Sequence, residues 1–550
     1  MRERRNNAMK LQASGSIETP VLIVGGGPVG LALACDLGQR GVECLVIEQN
    51  EGQTDHPKAS AINARSMEFF RRWGVAEIVK TAAAPEGFPH TAFYCTSLSG
   101  FEIARIERPN HGGRAPTKES PERPQRCNQL WLDPILREMA TSHDNVTLWR
   151  QCRFERLAEK TGHVESIVTD LVRGEQRTIV AQHVVDCSGG RSPIRAAFDI
   201  AMNGSGYLGY FISVFVKIPN LWDYHDKGKA ALIDFVDELG AWRSFVLLDG
   251  RELYRMGARS KEFYDAPEKV DIEALFRKAC GRDDVPHEFI SVRRWSARNV
   301  VADTYKVGRV LLAGDAAHIN HPASGIGLNT GLGDIWDLGW KLDALLKGWG
   351  GSGLLDAYEA ERRPVGQRNV DHANSSHAAD RALPPNPDIA ANTPAGAAAR
   401  RRLGDDILAK APQKVITDGL ALGYRYGGSP LIVGDGTSAP PETISHYDGT
   451  TWPGARAPHA FLPDGRSMID LYGKGFQLLR LGAGAPATDA LENAFAARGA
   501  PLTVTVIAQP EIAALYERAL VLVRPDGHVA WRGDALPADP GALVNRVRGA

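Results

Sequence analysis

No Cys-x-x-C pair occurs in the 550 residues, and none of the seven cysteines (Cys35, Cys44, Cys95, Cys127, Cys152, Cys187, Cys280) lies beyond Cys280. An odd, scattered set argues against a disulfide scaffold and fits a reducing, cytoplasmic compartment. Long apolar runs are missing too. The longest begins at Val21 and is broken by Gly25, Gly26, Gly27 and Gly30, well short of the roughly 20 apolar residues that span a bilayer. Residues 1–19 carry Arg2, Arg4, Arg5 and Lys10 with no apolar segment behind them, so they lack a secretory core and read as a flexible tail. Excess charge is also absent. With 64 basic against 65 acidic side chains and a net charge of -1, neither nucleic acid nor an anionic membrane is expected as a partner. No solenoid-type repeat is present. His318 and His321 stand close together without a third ligand at suitable spacing, so no metal site is expected.

What remains is an ordinary globular composition, 43% hydrophobic and 23% charged. Residues 21–24 are a short apolar run rich in β-branched side chains, followed by glycines and a small-residue helical stretch, 29–40. Residues 44–47 repeat the buried-strand pattern and end in Glu48, which completes a βαβ unit with a parallel pair. Helical periodicity returns at 129–140, and 183–187 reads as another buried strand. From 207 to 259 the pattern alternates, as in a sheet with one covered face, and suits a substrate-side sheet. A strand at 310–313 and two long helices, 327–346 and 354–377, follow. Pro384, Pro385, Pro387 and Pro394 mark 382–399 as a linker. Beyond a second Gly/Pro-rich stretch, 427–458, the chain has the size of one small α/β domain.

Gly25-Gly26-Gly27-Pro28-Val29-Gly30 places a G-x-G-x-x-G pattern between strand and helix. Gly25 permits the tight turn, Gly27 admits a pyrophosphate against the backbone, and Gly30 lets helix and strand pack closely. Glu48, roughly 20 residues on, can accept bonds from ribose hydroxyls and would repel a 2'-phosphate. NAD and FAD both use this unit, which alone does not separate them. Further along, Gly314-Asp315 follows a buried strand, where Asp315 can accept from a sugar-like hydroxyl. Pro322-Ala-Ser-Gly325-Ile-Gly327-Leu328-Asn329 opens a long helix whose free N–H groups can face an electron-rich heterocycle.

These residues together resemble the single-component flavoprotein aromatic hydroxylases, typified by para-hydroxybenzoate hydroxylase and phenol hydroxylase, over about residues 21–364. The resemblance implies FAD, with its ADP half at Gly25, Gly27, Pro28, Gly30, Glu48 and Gln49. It implies a ribityl contact at Gly314 and Asp315, a flavin-side contact at Gln129, and backbone contacts to the flavin ring from the turn of Pro322, Gly325, Gly327, Leu328 and Asn329. Two positions depart from the family pattern. Ser188 stands where an aspartate is expected, in a run linked to both FAD and the nicotinamide donor. Lys58 stands where an arginine is common near the FAD phosphates, keeping the charge without the planar fork. Residues 453–459 and 522–532 are similar to the C-terminal thioredoxin-like domain of the phenol hydroxylase branch. Having no cysteine there, this domain reads as structural or oligomerising, with a homodimer as the candidate assembly.

The implied fold is α/β: a Rossmann-type FAD-binding domain (20–380) carrying an inserted β-sheet substrate domain (about 200–300), then linker and helices (381–455) and a thioredoxin-like domain (456–550). The implied chemistry is reduction of FAD by NADH or NADPH, capture of O2 as a flavin C4a-hydroperoxide, and hydroxylation of a phenolic or polyketide-type ring, with Pro322 nearest the reacting oxygen. Expected substrate contacts are Tyr210, Trp242, Arg255 and Trp295. Two alternatives are an FAD-binding protein without turnover, suggested by Ser188, and a flavin-dependent halogenase, for which the W-x-W-x-x-P element is absent.

Overall fold

The computed structural model describes residues 16–550, apart from 53, 83, 108–111, 260–264, 323–324, 382–384 and 416. Its first sheet centres on the strand Glu175–Asp186, which pairs in parallel with Ile17–Val24 on one side and Val310–Leu312 on the other. Cys44–Glu48 and Val146–Arg150 extend it beyond Ile17–Val24. Helices cover this core, so Val21, Leu22 and Ile23 are all fully buried and the strand is apolar throughout instead of alternating. The register is what matters for function. Val24 lies beside Asp186 and Ile47, and Asp186 beside Leu312. The strand ends that carry Gly25, Glu48, Cys187 and Gly314 therefore leave the sheet at one edge, where ligands of open α/β sheets bind.

The second sheet has eight strands, and three of them, Ala92–Cys95, Glu102–Ile106 and His318–Ile319, come from outside the 200–300 segment. They are short, and their sequence lacks the alternation that marks the rest. On Met202–Lys217, Gly240–Leu247 and Leu253–Arg259 one face holds Ile212, Val214, Val216, Phe245, Leu247, Tyr254 and Met256, packed with Phe276, Ala279 and Cys280 of the helix Ile272–Cys280. The opposite face holds Phe211, Ser213, Phe215, Ser244, Arg255, Gly257, Ser291, Arg293 and Trp295, set opposite one another across the strands.

A four-stranded sheet with the helices Asp489–Ala496, Pro510–Tyr516 and Pro540–Val547 forms the C-terminal part. Among the described residues no helix is long and apolar enough to cross a membrane. Two expectations need correction. Residues 17–19 are not tail: they pair with Ile179–Ala181 in the first strand, while residues 1–15 lie outside the described part. The linker is shorter than expected, because Pro394–Val415 is a helix. Pro394 starts it, where a missing N–H has no intrahelical partner to lose; residues 382–384 lie outside the described part.

Candidate active site

Gly25 has φ +110, and its N–H donates to Ile47 O at 2.9 Å. A Cβ on Gly25 would run into the backbone of Cys187 and lie 2.9 Å from Ser188 Cα, and one on Gly30 would strike the Gly25 carbonyl oxygen. Gly27 differs, since a Cβ there would meet nothing within 4 Å. The turn is thus packed at its first and last glycines and open at the middle one, which leaves room for a pyrophosphate at the helix N-terminus. Glu48 closes this side: Oε2 accepts the Gly26 N–H at 2.8 Å, and Oε1 accepts the Asn50 N–H and side-chain amide, both at 2.8 Å. Gln49, next to it in the chain, and Lys58 are exposed.

Across the sheet edge, Gly314 has φ +62 and packs on Val29 of the glycine-turn helix Pro28–Arg40. The two cofactor turns are therefore in contact through one side chain. The Gly314 N–H donates to Asp334 Oδ2 at 3.1 Å, and the buried Asp334 also accepts from His318 Nε2 at 2.7 Å and Arg362 Nε at 2.9 Å. Burial alone would raise its carboxyl, but His318 and Arg362 outweigh that and hold it below the usual range. Asp315 is open to solvent yet walled by protein, and the walls push its carboxyl up against the opposing pull of His318 and Lys58. A side chain that is both reachable and crowded lies in a cleft.

The remaining expected contacts divide. Gln129 is buried at the start of Gln129–Thr141, where its Oε1 accepts the Ala59 N–H at 3.1 Å. Pro322 is exposed, and its carbonyl accepts the Gly325 N–H. Gly325, with φ +62, sits against Ala61, and Gly327 and Leu328 begin the helix Gly327–Leu346, whose first turn has no side-chain cap. The Asn329 side chain is committed to the turn itself. Its amide donates to Ala61 O and Gly325 O, and its oxygen accepts from Asn63 N and Ser66 Oγ, which uses both donors and both lone pairs. It fastens the turn. Ser188 donates its hydroxyl to Asp186, the buried acid at the end of the central strand.

On the substrate-side sheet the structure brings Arg255 and Trp295 to the cleft face and turns the other two expected contacts away. Tyr210 takes the opposite parity to Phe211 and stacks on Tyr207. Trp242 packs against Arg243 and Lys278 beside the rear helix. In their place stand residues that sequence reasoning missed. Phe211 and Trp295 stack at 4.3 Å and 8°, with His321, next to Pro322, edge-on to Phe211. His56 bridges Ser213 and Ser291, 2.8 Å from each hydroxyl, and Arg293 pairs with Asp55. The one signal for His56 was its place two residues before Lys58.

Burial, then Arg293 and Arg255, hold the His56 imidazole down to about 4. At neutral pH it is uncharged, so one ring nitrogen donates and the other accepts. Its pKa is depressed on folding, so its contribution to stability is complete above pH ~6.5 and is lost as pH falls toward 4. Nitrogen-15 spectra of the ring should show a neutral imidazole down to pH 5; titration near 6.5 would contradict the burial seen here.

An open Gly27, the Glu48 carboxylate at the end of the neighbouring strand, a second turn in contact with the first and Asp315 in the intervening cleft are a set that FAD would fit. The fold and site define a dinucleotide-binding oxidoreductase with its substrate face on a separate sheet. The family described as FAD binding domain matches residues 18–373, and that described as aromatic-ring hydroxylase, C-terminal, matches 450–549. The chain is 32% identical to tetracenomycin B2 monooxygenase-dioxygenase of Streptomyces olivaceus, over 96% of its own length and 98% of that protein's. It is 31% identical to 4-methyl-5-nitrocatechol 5-monooxygenase of Burkholderia sp, over 98% of each. Among solved structures, the rebeccamycin biosynthetic enzyme RebC with reduced flavin has a TM-score of 0.89 at 38% identity, covering 97% of this chain and 99% of that one. Aklavinone-11 hydroxylase with FAD and aklavinone gives 0.82 at 26%, covering 96% and 98%. The chain belongs to the FAD-dependent aromatic-ring hydroxylases. It is an FAD-dependent monooxygenase, which sets aside the reading without turnover.

Proposed function

We propose that the chain hydroxylates a phenolic or polyketide-type ring that bears an acidic group, using NADH or NADPH and O2. The observation that carries this reading is Arg255. Half-buried on the cleft face, it has no hydrogen bond or ion pair among the described residues, and burial alone lowers its pKa, with no acid offsetting it. A guanidinium stays charged in such a place, and an unpaired one in a cleft suits a carboxylate or phenolate, which it can grip through two parallel N–H bonds. Next to it on the same strand, Gly257 leaves a hollow in which a Cβ would find only Ser244 Oγ, at 3.6 Å, and a bare glycine in a strand marks close approach of a ligand. The names of relatives agree in kind: phenol 2-monooxygenase, putative polyketide hydroxylases, and RebC with bound 7-carboxy-K252c.

FAD, when bound, supplies the redox chemistry and the activation of O2. The chain supplies the rest. Gly27 and the helix N-terminus hold the phosphates, Glu48 and Asp315 the hydroxyls, and the Phe211–Trp295 stack lines the ring's path beside Pro322. Neutral His56 accepts the hydroxyl hydrogen of one of the two serines, Ser213 or Ser291, whose oxygen is then free to accept a hydrogen bond from the ring hydroxyl and polarise it, raising the electron density that hydroxylation needs. The division into an FAD domain (17–380), connecting helices (381–455) and a C-terminal domain (456–550) belongs to this reading, as do a cytoplasmic setting and a homodimer. The seven buried, unpaired cysteines support the first of these, and the exposed edge strand Leu502–Ile507 the second.

Paired phenols that differ only in a carboxylate test the role of Arg255. In Arg255→Ala the Kd of the carboxylated member, read from the flavin absorption change, should rise about 10- to 100-fold. The uncharged member should move by no more than about twofold. Equal losses for both would reject an acid at this position.

A further inference from the structure

At the carboxyl end of the central strand, Asp186 is completely buried. Its Oδ1 accepts the Ser188 hydroxyl at 2.5 Å and the Ser188 N–H at 3.0 Å, and its Oδ2 accepts the Ser192 hydroxyl. Ser192 Oγ in turn accepts the Arg195 N–H at 2.8 Å, so its own hydrogen is the one given to Asp186. Burial pushes the Asp186 carboxyl up, and these three hydrogen bonds pull it back. Among the described residues no arginine or lysine side chain is hydrogen-bonded to it, though the charge of Arg195 also favours its ionised form.

The run Asp186-Cys187-Ser188 also lies between the two cofactor turns. Cys187 N donates to Val24 O at 2.8 Å, and Ala313 N donates to Asp186 O at 3.0 Å. Gly25 packs on the Cys187–Ser188 backbone, and Ser188 itself is only half-buried. A serine hydroxyl has one hydrogen and two lone pairs. Here the hydrogen is committed inward, so the oxygen can only accept. That is the hydrogen-bonding character of a carboxylate, delivered by a neutral atom with the charge one bond behind it.

We propose that Asp186 and Ser188 form an acceptor couple, in which Asp186 fixes the Ser188 hydroxyl so that its oxygen accepts a hydrogen bond from a hydroxyl of the bound dinucleotide. Asp186 is the positioning residue and Ser188 the contact. The couple rests on the FAD reading above, and it gives the chain at position 188 what an aspartate would give, without placing a charge in the crevice.

Titration of the apoprotein with FAD, followed by quenching of flavin fluorescence, tests the couple without turnover. Ser188→Ala should raise the Kd about tenfold, the loss of one hydrogen bond polarised by a buried charge. Ser188→Thr, which keeps the hydroxyl, should stay within about twofold. Asp186→Asn can donate its amide to Ser188 and turn the hydroxyl's hydrogen outward, so it should lose as much as Ser188→Ala. The double variant should lose no more than either single one, because both remove the same bond, and Asp186→Asn with Ser188→Asp should recover. Wild-type affinity in Ser188→Ala, or additive losses in the double variant, would overturn the couple. If the buried Asp186 variants fail to fold, the Ser188→Ala and Ser188→Thr pair decides alone. Failure of the wild-type chain to take up FAD would instead remove the reading beneath it.

Discussion

Replacing Gly30 by valine is expected to weaken FAD binding by more than about 100-fold, the largest loss any single cofactor-site change should produce. The cause is steric and sits in backbone, not in a movable side chain. A Cβ at Gly30 points into the Gly25 carbonyl oxygen and lies 3.3 Å from the Cys187 side chain. Gly25 cannot yield, because its N–H is held by Ile47 O and its Cα rests on Cys187 and Ser188. The helix Pro28–Arg40 must therefore move away from the sheet, taking with it the N–H groups that face the phosphates and the Val29 side chain that packs on Gly314. Near-attack placement of a cofactor is lost with shifts of about 1 Å. Apoprotein titration with FAD checks this; affinity within about twofold of wild type would show that the turn does not hold the pyrophosphate.

Arg524→Met is expected to cost about 3–5 kcal/mol of stability, the penalty for stripping a buried charge network of one partner. Arg524 lies fully buried between the C-terminal part and the two long helices, Gly327–Leu346 and Leu354–Arg381. It donates to Asp337 at 2.9 Å, to Asp526 at 2.6 Å and to both oxygens of Glu361. Lys341 pairs with Asp337 and Glu361 from the other side, at 2.5 Å each. Two cations thus face three carboxyls with no water to share the charge. Burial pushes Asp337 well up despite Lys341 and Arg524, while Glu361 and Asp526 are held down. Methionine fills similar volume but leaves Glu361 with Lys341 and Ser429 and Asp526 with His528, without the guanidinium that joined them. Urea denaturation measures the loss, and a change below about 1 kcal/mol would mean that this contact between the two parts is dispensable. The same variant should also loosen FAD, because Glu361 and Arg362 share a helix turn and Arg362 holds Asp334, the acceptor of the Gly314 N–H.

The cofactor half of the site was legible because its signals are local. Gly25 to Glu48 is one βαβ unit, and Gly314-Asp315 is the end of one strand; each carries its geometry in a few consecutive residues. The substrate half was not. His56 meets partners 157 and 235 residues away, a pairing no periodicity reveals. Tyr210 was misplaced because the strand Met202–Lys217 carries irregularities on either side of Tyr207, and each shift of one residue turns a side chain to the other face. Asn329 was legible as part of a family turn; that its side chain holds that turn to Ala61, Asn63, Ser66 and Gly325 was not. Asp186 read only as the end of a buried strand. Its importance appears when the two serines downstream fold back onto it.

Oxygen-18 gas supplied to the FAD-loaded wild-type chain, with NADH or NADPH and a carboxylated phenol that perturbs its flavin spectrum, tests the account most directly. The recovered ring should gain the mass of one oxygen-18 atom, inserted into a C–H bond as a new hydroxyl. Consumption of the gas entirely as hydrogen peroxide across a broad panel of such rings, or a folded chain that stays colourless in excess FAD, would contradict it.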